Sequence, residues 1–192
     1  MPFESIKIQH GDVSAEIVPE RGAMVAALKV RGKDVLYMDR ATLDDPTSNV
    51  RGGIPVLFPY AGKLVDEVFL PAGTKMKQHG FGRNKAWPAT EKSANRVRLT
   101  LKQDADTAAQ YPFKFTAEYT VSILPNGLQV EILVINDGDK PLAVSPGWHP
   151  YFSVPAAKKP LVTGDVPGFT PDKLSNTEVF DFGLVPPKTG RA

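Results

Sequence analysis

FKFTAEYTVSILPNGLQVEILVIND, residues 113–137, is the stretch that decides the fold class. Phe115, Ala117, Tyr119, Val121 and Ile123 recur at every second position, and so do Leu128, Val130, Ile132 and Val134 after the Pro125-Asn126-Gly127 interruption. A period of two places all members of a set on one face of an extended strand, so each run predicts a half-buried β-strand. The interruption predicts a tight hairpin turn, since Asn and Gly tolerate the positive φ that such turns use. The pair is an antiparallel hairpin, and Asn136 to Asp139 turns the chain again toward PLAVSPGWHPYF (141–152).

The same pattern extends over most of the chain. SIKIQHG, VSAEIVPERG, AALKVRGKDVLYM, RVRLTLKQ and PLAVSPGWH alternate or run β-branched between turn signals. The 18 prolines and 16 glycines punctuate the sequence too closely for a long amphipathic helix, so helix is minor and the expected class is all-β. A length of 192 residues fits one domain with a real core, taken as a single domain over 1–192. A hydrophobic fraction of 42% with 23% charged residues excludes a disordered chain.

Several function classes fall away on composition. A formal charge of +2, with Lys and Arg spread evenly, gives no basic stripe, so no nucleic-acid partner is expected. No run approaches the ~18 consecutive apolar residues of a spanning helix, and MPFESIKIQHGD has no signal-peptide layout, so no membrane association is expected and the address is cytoplasmic. Zero cysteines rule out disulfides, thiolate metal sites and a cysteine nucleophile. There is no G-x-S-x-G elbow or phosphate-binding glycine loop, and with only two plausible histidine ligands far apart and no H-E-x-x-H pair no metal site is expected.

The three histidines divide by context. His10 precedes Gly11-Asp12 and reads as a turn residue. His79, in KQHGFGRNKAW (77–87), lies beside two glycines that allow close approach to backbone, with Arg83 four positions on. His149 is wedged between Trp148 and Pro150, at a strand end or in the adjoining loop. A packed structural histidine would fit either of the last two as well. RGGIPVLFPYAGKL (51–64) reads as a buried, irregular loop of the sort that shapes a pocket. Aromatic faces that stack on sugar C–H groups, together with Arg and His edges, suit a carbohydrate, though other polar small ligands would suit them too.

Three of these stretches, RGGIPVLFPYAGKL (51–64), QHGFGRNKAW (78–87) and GWHPYFSV (147–154), together with the opening 13–39, resemble the aldose 1-epimerases. Within that galactose mutarotase-like family the resemblance is to the hexose-6-phosphate mutarotase branch. It implies a β-supersandwich of antiparallel sheets with a sugar cleft, and interconversion of the α and β anomers of an aldohexose or hexose 6-phosphate without a cofactor. Carried over by position, His149 would protonate the ring oxygen O5 and His79 would bond near it. Arg51 and Arg83 would contact substrate.

The family pattern is longer, and its catalytic base is a glutamate near the C-terminus. Only Glu178 follows His149 here, in SNTEVFDFG, and its setting does not match, so no base is assigned. Asp181 faintly resembles an aspartate that binds sugar hydroxyls, while an acidic turn residue before Gly183 is the plainer reading. The supersandwich is therefore expected to lack its last strands, leaving an open sheet edge. A homodimer covering that edge, packing of 156–192 against it, or continuation into a longer natural chain would each satisfy it. A carbohydrate-binding relative that has lost the general base is the alternative function.

Overall fold

The computed structural model describes residues 3–161 and 179–181, the side chains of 159–161 and 179–181 excepted. In chain order the strands are β1 (Ile6–His10), β2 (Val13–Val18), β3 (Met24–Val30), β4 (Lys33–Asp34), β5 (Val56–Leu57), β6 (Val68–Phe69), β7 (Thr74–Lys75), β8 (Ala89–Lys92) and β9 (Arg96–Lys102). They continue with β10 (Phe115–Leu124), β11 (Gly127–Asn136), β12 (Gly147–Trp148), β13 (Tyr151–Ser153) and β14 (Val179–Asp181), and two short helices, α1 (Arg40–Asp44) and α2 (Ala105–Gln110), interrupt them. No helix among the described residues is long and apolar enough to cross a membrane.

Two four-stranded antiparallel sheets, β1-β2-β3-β4 and β11-β10-β9-β8, carry the fold. They pack face to face through β1 and β2 against β9 and β10, giving the galactose mutarotase-like sandwich expected from the motifs. The decisive hairpin pairs from Phe115↔Asn136 to Leu124↔Gly127, and Phe115, Ala117, Tyr119, Val121 and Ile123 are all buried. Its turn differs from expectation, because none of residues 125–127 sits at positive φ. Pro125 excludes the primed hairpin turns, which need a positive φ at the first central position where its ring imposes a φ near −65°.

Alternation along β11 is less sharp. Leu128, Val130, Ile132 and Val134 pack on the core but stay half-buried, and Leu133 and Ile135 are exposed on the opposite face. Within the described residues β11 is an edge strand.

An aromatic cluster fills the interior beneath the second sheet. Phe58, Phe81, Trp87, Tyr111, Phe115 and Tyr119 are each under 5% exposed. Phe58 is central, with ring centroids 5.0 Å from Phe115, 5.8 Å from Phe81 and 6.2 Å from Trp87. Full burial of such rings contributes roughly 1.5–3 kcal/mol apiece. Burial pushes the Tyr111 phenol up to about 12, and its hydroxyl donates to Ala143 O at 2.9 Å, tying the segment before β12 to the core.

Two sequence expectations change. PLAVSPGWH forms strand only at Gly147–Trp148, and Pro141 and Pro146, which have no N–H to give a ladder, lie in the part that does not. The helix α2 had no apolar periodicity to announce it. It is held instead by a capping box, in which the Asp104 carboxylate accepts from Thr107 N–H at 2.7 Å and Thr107 Oγ1 accepts from Asp104 N–H at 2.8 Å.

Candidate functional site

The stretch 52–60 is buried throughout, so each of its backbone polar groups needs a partner. It finds them in the other two motifs, in β3, and at Tyr37 and Ser145. Gly53 N–H donates to Tyr37 O, Ile54 N–H donates to Val25 O, and β5 pairs with β12 in the register Gly147↔Leu57 and Trp148↔Val56. Pro55 and Pro59 have no N–H, and their carbonyls accept from His149 N–H at 3.2 Å and Ser145 N–H at 2.8 Å. Phe58 O receives both Phe81 N–H and Gly82 N–H at 2.9 Å. The buried loop thus serves as a central rail to which the segments carrying His79 and His149 are bonded.

Close approach on that rail requires glycine. A Cβ on Gly80, which sits at φ +66°, would overlap Phe58 O and lie 2.7 Å from the Phe58 carbonyl carbon and from Pro59 Cδ. His79, immediately before it, also holds a left-handed backbone at φ +68°. Such a conformation costs a non-glycine residue on the order of 1 kcal/mol and persists only where neighbours enforce it. Gly62 does so: His79 N–H donates to Gly62 O, and Gly62 N–H donates to His79 Nδ1, both at 2.9 Å.

The two histidines meet. Their ring centroids are 5.6 Å apart at an interplanar angle of 67°, although 70 positions separate them in the chain. The second sits between two short strands, directly after β12 and before β13: Trp148 and Phe152 pack on the core, and the His149 and Tyr151 ring centroids are 5.1 Å apart. Tyr151 was not singled out from sequence, though its place two residues after His149 was the available signal.

Arg83 joins this group. Its Nη2 donates to Gln78 O at 3.3 Å, and partial burial pulls its pKa below the ordinary arginine value, opposed by the nearby Tyr151 phenol. Its Nε is buried with no protein partner among the described residues. A small recess beside it is lined by Arg21, Ser48, Asn49, Pro55 and Asn84. Arg21 keeps this wall in place by donating through Nη2 to the carbonyls of Thr42, Asp45 and Ser48.

Arg51 stands apart. It is exposed, its N–H donates to Thr42 Oγ1 at 2.9 Å, and its guanidinium makes no ion pair among the described residues. Asp181 closes β14 opposite Tyr151 in the β13–β14 register, so it belongs to a strand rather than the turn read from sequence. Glu178 lies outside the described residues. His10 is the exposed last residue of β1, paired with Val13, so it belongs to a strand beside the Gly11 turn rather than to the turn itself.

No group of three or more His, Asp or Glu among the described residues could hold a metal ion. Two larger surface recesses lie on the first sheet around Gln9, Ser14 and Lys29, far in sequence from any predicted site residue, and carry no histidine. The arrangement capable of acid–base chemistry is the His79, His149, Tyr151 and Arg83 group. It sets two imidazoles, which can donate or accept hydrogen bonds, beside a guanidinium that can bind oxygens or a phosphate.

The chain is similar to several known proteins. Residues 4–166 match the family described as aldose 1-epimerase. An Escherichia coli K12 protein named "Putative glucose-6-phosphate 1-epimerase" is 30% identical over 169 residues, 84% of this chain and 52% of its own. One of the same name from Cenchrus ciliaris is 25% identical over 162 residues, 78% of this chain and 46% of its own. The chain therefore spans about half the length of the curated relatives it matches. Among solved structures, a protein from Synechocystis sp. PCC 6803 superposes with a TM-score of 0.76 at 32% identity, covering 81% of this chain and 57% of that one. A galactose mutarotase-like protein from Lactobacillus casei gives 0.69 at 30% identity, covering 79% and 51%. With the family match running through all three motifs and the fold reproduced, the chain belongs to the aldose 1-epimerase family.

Proposed function

We propose that this chain interconverts the α and β anomers of an aldohexose, with a hexose 6-phosphate as the preferred substrate. The observation that carries the reading is the meeting of His79 and His149, 5.6 Å between ring centroids, beside the partly buried Arg83 guanidinium. The names of the curated relatives support the phosphorylated sugar.

In this mechanism His149, protonated, gives its proton to ring oxygen O5 as a base removes the proton of the anomeric O1 hydroxyl. The O1–H electron pair forms the C1=O bond, and the C1–O5 pair leaves with O5, opening the ring. Rotation about C1–C2 presents the other carbonyl face, and the reverse transfers close the ring with both groups restored. An imidazole suits the acid role because histidine as a residue type titrates near neutrality, and the His149 backbone is already fixed by the bond to Pro55 O. His79 donates to an oxygen next to the reacting bond, and Arg83 holds vicinal hydroxyls or the phosphate, with Arg51 meeting the substrate from the exposed side. Asp181, set opposite Tyr151, binds a hydroxyl. The base is sought among the carboxylates that follow His149 in the chain, Glu178 and Asp181 first.

Optical rotation of freshly dissolved α-glucose and of α-glucose 6-phosphate, followed with and without protein, tests the reading. Faster relaxation with a preference for the phosphorylated sugar of more than ~10-fold, equivalent to about 1.4 kcal/mol, is expected. Equal handling of both sugars would remove the phosphate assignment. Binding of either sugar without faster relaxation would favour the carbohydrate-binding alternative.

A further inference from the structure

We infer that Gly62 is a positioning residue that fixes His79 in the tautomer carrying its proton on Nε2. The two residues exchange a reciprocal pair of bonds, backbone N–H of His79 to Gly62 O and backbone N–H of Gly62 to His79 Nδ1, each 2.9 Å. A ring nitrogen that accepts a hydrogen bond carries no proton, so in the neutral imidazole the hydrogen sits on Nε2. Gln78 lies on that side, its amide nitrogen position 3.1 Å from His79 Nε2. An Nε2–H needs an acceptor, so the amide meets it with its oxygen, the two ends of a Gln side chain being interchangeable by a half-turn.

The requirement for glycine at 62 is conformational. Its φ is +109°, a region open to glycine and strongly disfavoured for L-residues, while a Cβ there would meet nothing within 4 Å. Space is free and the backbone angle is not. That separates Gly62 from Gly80, where the Cβ itself collides with Phe58. The φ of Gly62 aims its N–H at the ring, and the bond returned from His79 N–H holds the strained +68° backbone of the histidine in register with it.

The consequence for chemistry is a division of labour. A His79 pinned in this way keeps an N–H on its outward nitrogen, held by the Gln78 amide oxygen until a ligand oxygen takes its place, and has no lone pair there to remove a proton. It orients and stabilises an oxygen and leaves proton delivery to His149. What it donates to rests on the proposed sugar reading. The tautomer and its cause do not.

Long-range 1H–15N correlation of the histidine rings, recorded without sugar at neutral pH and assigned by the loss of signals in His79→Asn, reads the tautomer directly. The wild-type chain is expected to give the Nε2–H pattern for His79. Gly62→Ala is expected to move the donor off the ring and give His79 a mixture of both tautomers, with the His149 signals unchanged. An Nδ1–H or doubly protonated His79 in the wild-type protein would overturn the inference, as would a folded Gly62→Ala protein with a pure Nε2–H pattern. Should Gly62→Ala fail to fold, glycolate at position 62, which turns the amide into an ester and deletes only the N–H, is read by the same two outcomes. Because no sugar is present, this result is independent of whether anomers are exchanged.

Discussion

Replacing Gly80 by alanine should damage both the fold and the site, by an amount that two control glycines separate into its causes. At Gly80 a left-handed φ of +66° costs an L-residue roughly 1–2 kcal/mol. The added methyl also meets backbone atoms of Phe58, which cannot swing aside, and forced overpacking of this kind costs about 1–3 kcal/mol. Lower entropy of the unfolded chain returns about 0.4–1 kcal/mol. The net loss is about 1–4.5 kcal/mol. Gly11 has φ +54° with nothing within 4 Å of its Cβ, so Gly11→Ala bears only the angular cost, about 1 kcal/mol or less after the entropy is returned. Gly127 has open space and no positive φ, so Gly127→Ala should be neutral or stabilising by up to about 1 kcal/mol. Urea unfolding of the three variants measures the series. With m of roughly 2 kcal/mol/M, the Gly80→Ala midpoint should fall by about 0.5–2 M and that of Gly127→Ala should not fall. Equal losses at Gly11 and Gly80, or a Gly80→Ala midpoint matching the wild type, would refute the close-approach argument.

Other outcomes follow from the same geometry. His149→Ala should lower kcat for anomer exchange by about 10²–10⁴, or roughly 3–5 kcal/mol of barrier, with the urea midpoint little changed because the backbone bond to Pro55 survives; steady-state kinetics beside unfolding curves check both halves. Phe58→Ala removes the centre of the aromatic cluster and should cost about 3–5 kcal/mol, read as a drop in thermal midpoint. Asp104 is held down to about 2 from 3.8, first by the Thr107 N–H and then by Lys85. Since the folded-state value is the lower one, its contribution is complete above about pH 4 and disappears as pH falls toward 2. Asp104→Ala should therefore cost about 1 kcal/mol at neutral pH and much less near pH 2, a difference visible in paired acid titrations of stability.

The sheets were legible wherever one face is dry and the other wet. Phe115 to Ile123 alternate because β10 lies over β1 and β2, and that pattern survives in the sequence as a simple period. The segment 52–60 is buried on all sides, so it shows no period; its composition announced burial but not which carbonyl met which N–H. In PLAVSPGWH the apolar run suggested a strand, and only the tertiary ladder restricts it to the two residues opposite Val56 and Leu57. For the site, residue types and glycine neighbours marked His79 and His149 separately, and the family resemblance joined them. Their contact depends on the rail through Pro55 and Phe58, a relation between distant segments that no local pattern records. Gly62 escaped notice because its task is an angle and an N–H, and it has no side chain to announce either.

Equilibrium magnetisation exchange between the α and β anomers of glucose 6-phosphate, measured with the wild-type chain and with His149→Ala side by side, tests the central claim most directly. The account predicts exchange well above the uncatalysed rate for the wild type and a return toward that rate for the variant. A folded wild-type chain that leaves the exchange rate unchanged, or a His149→Ala chain as fast as the wild type, would contradict it.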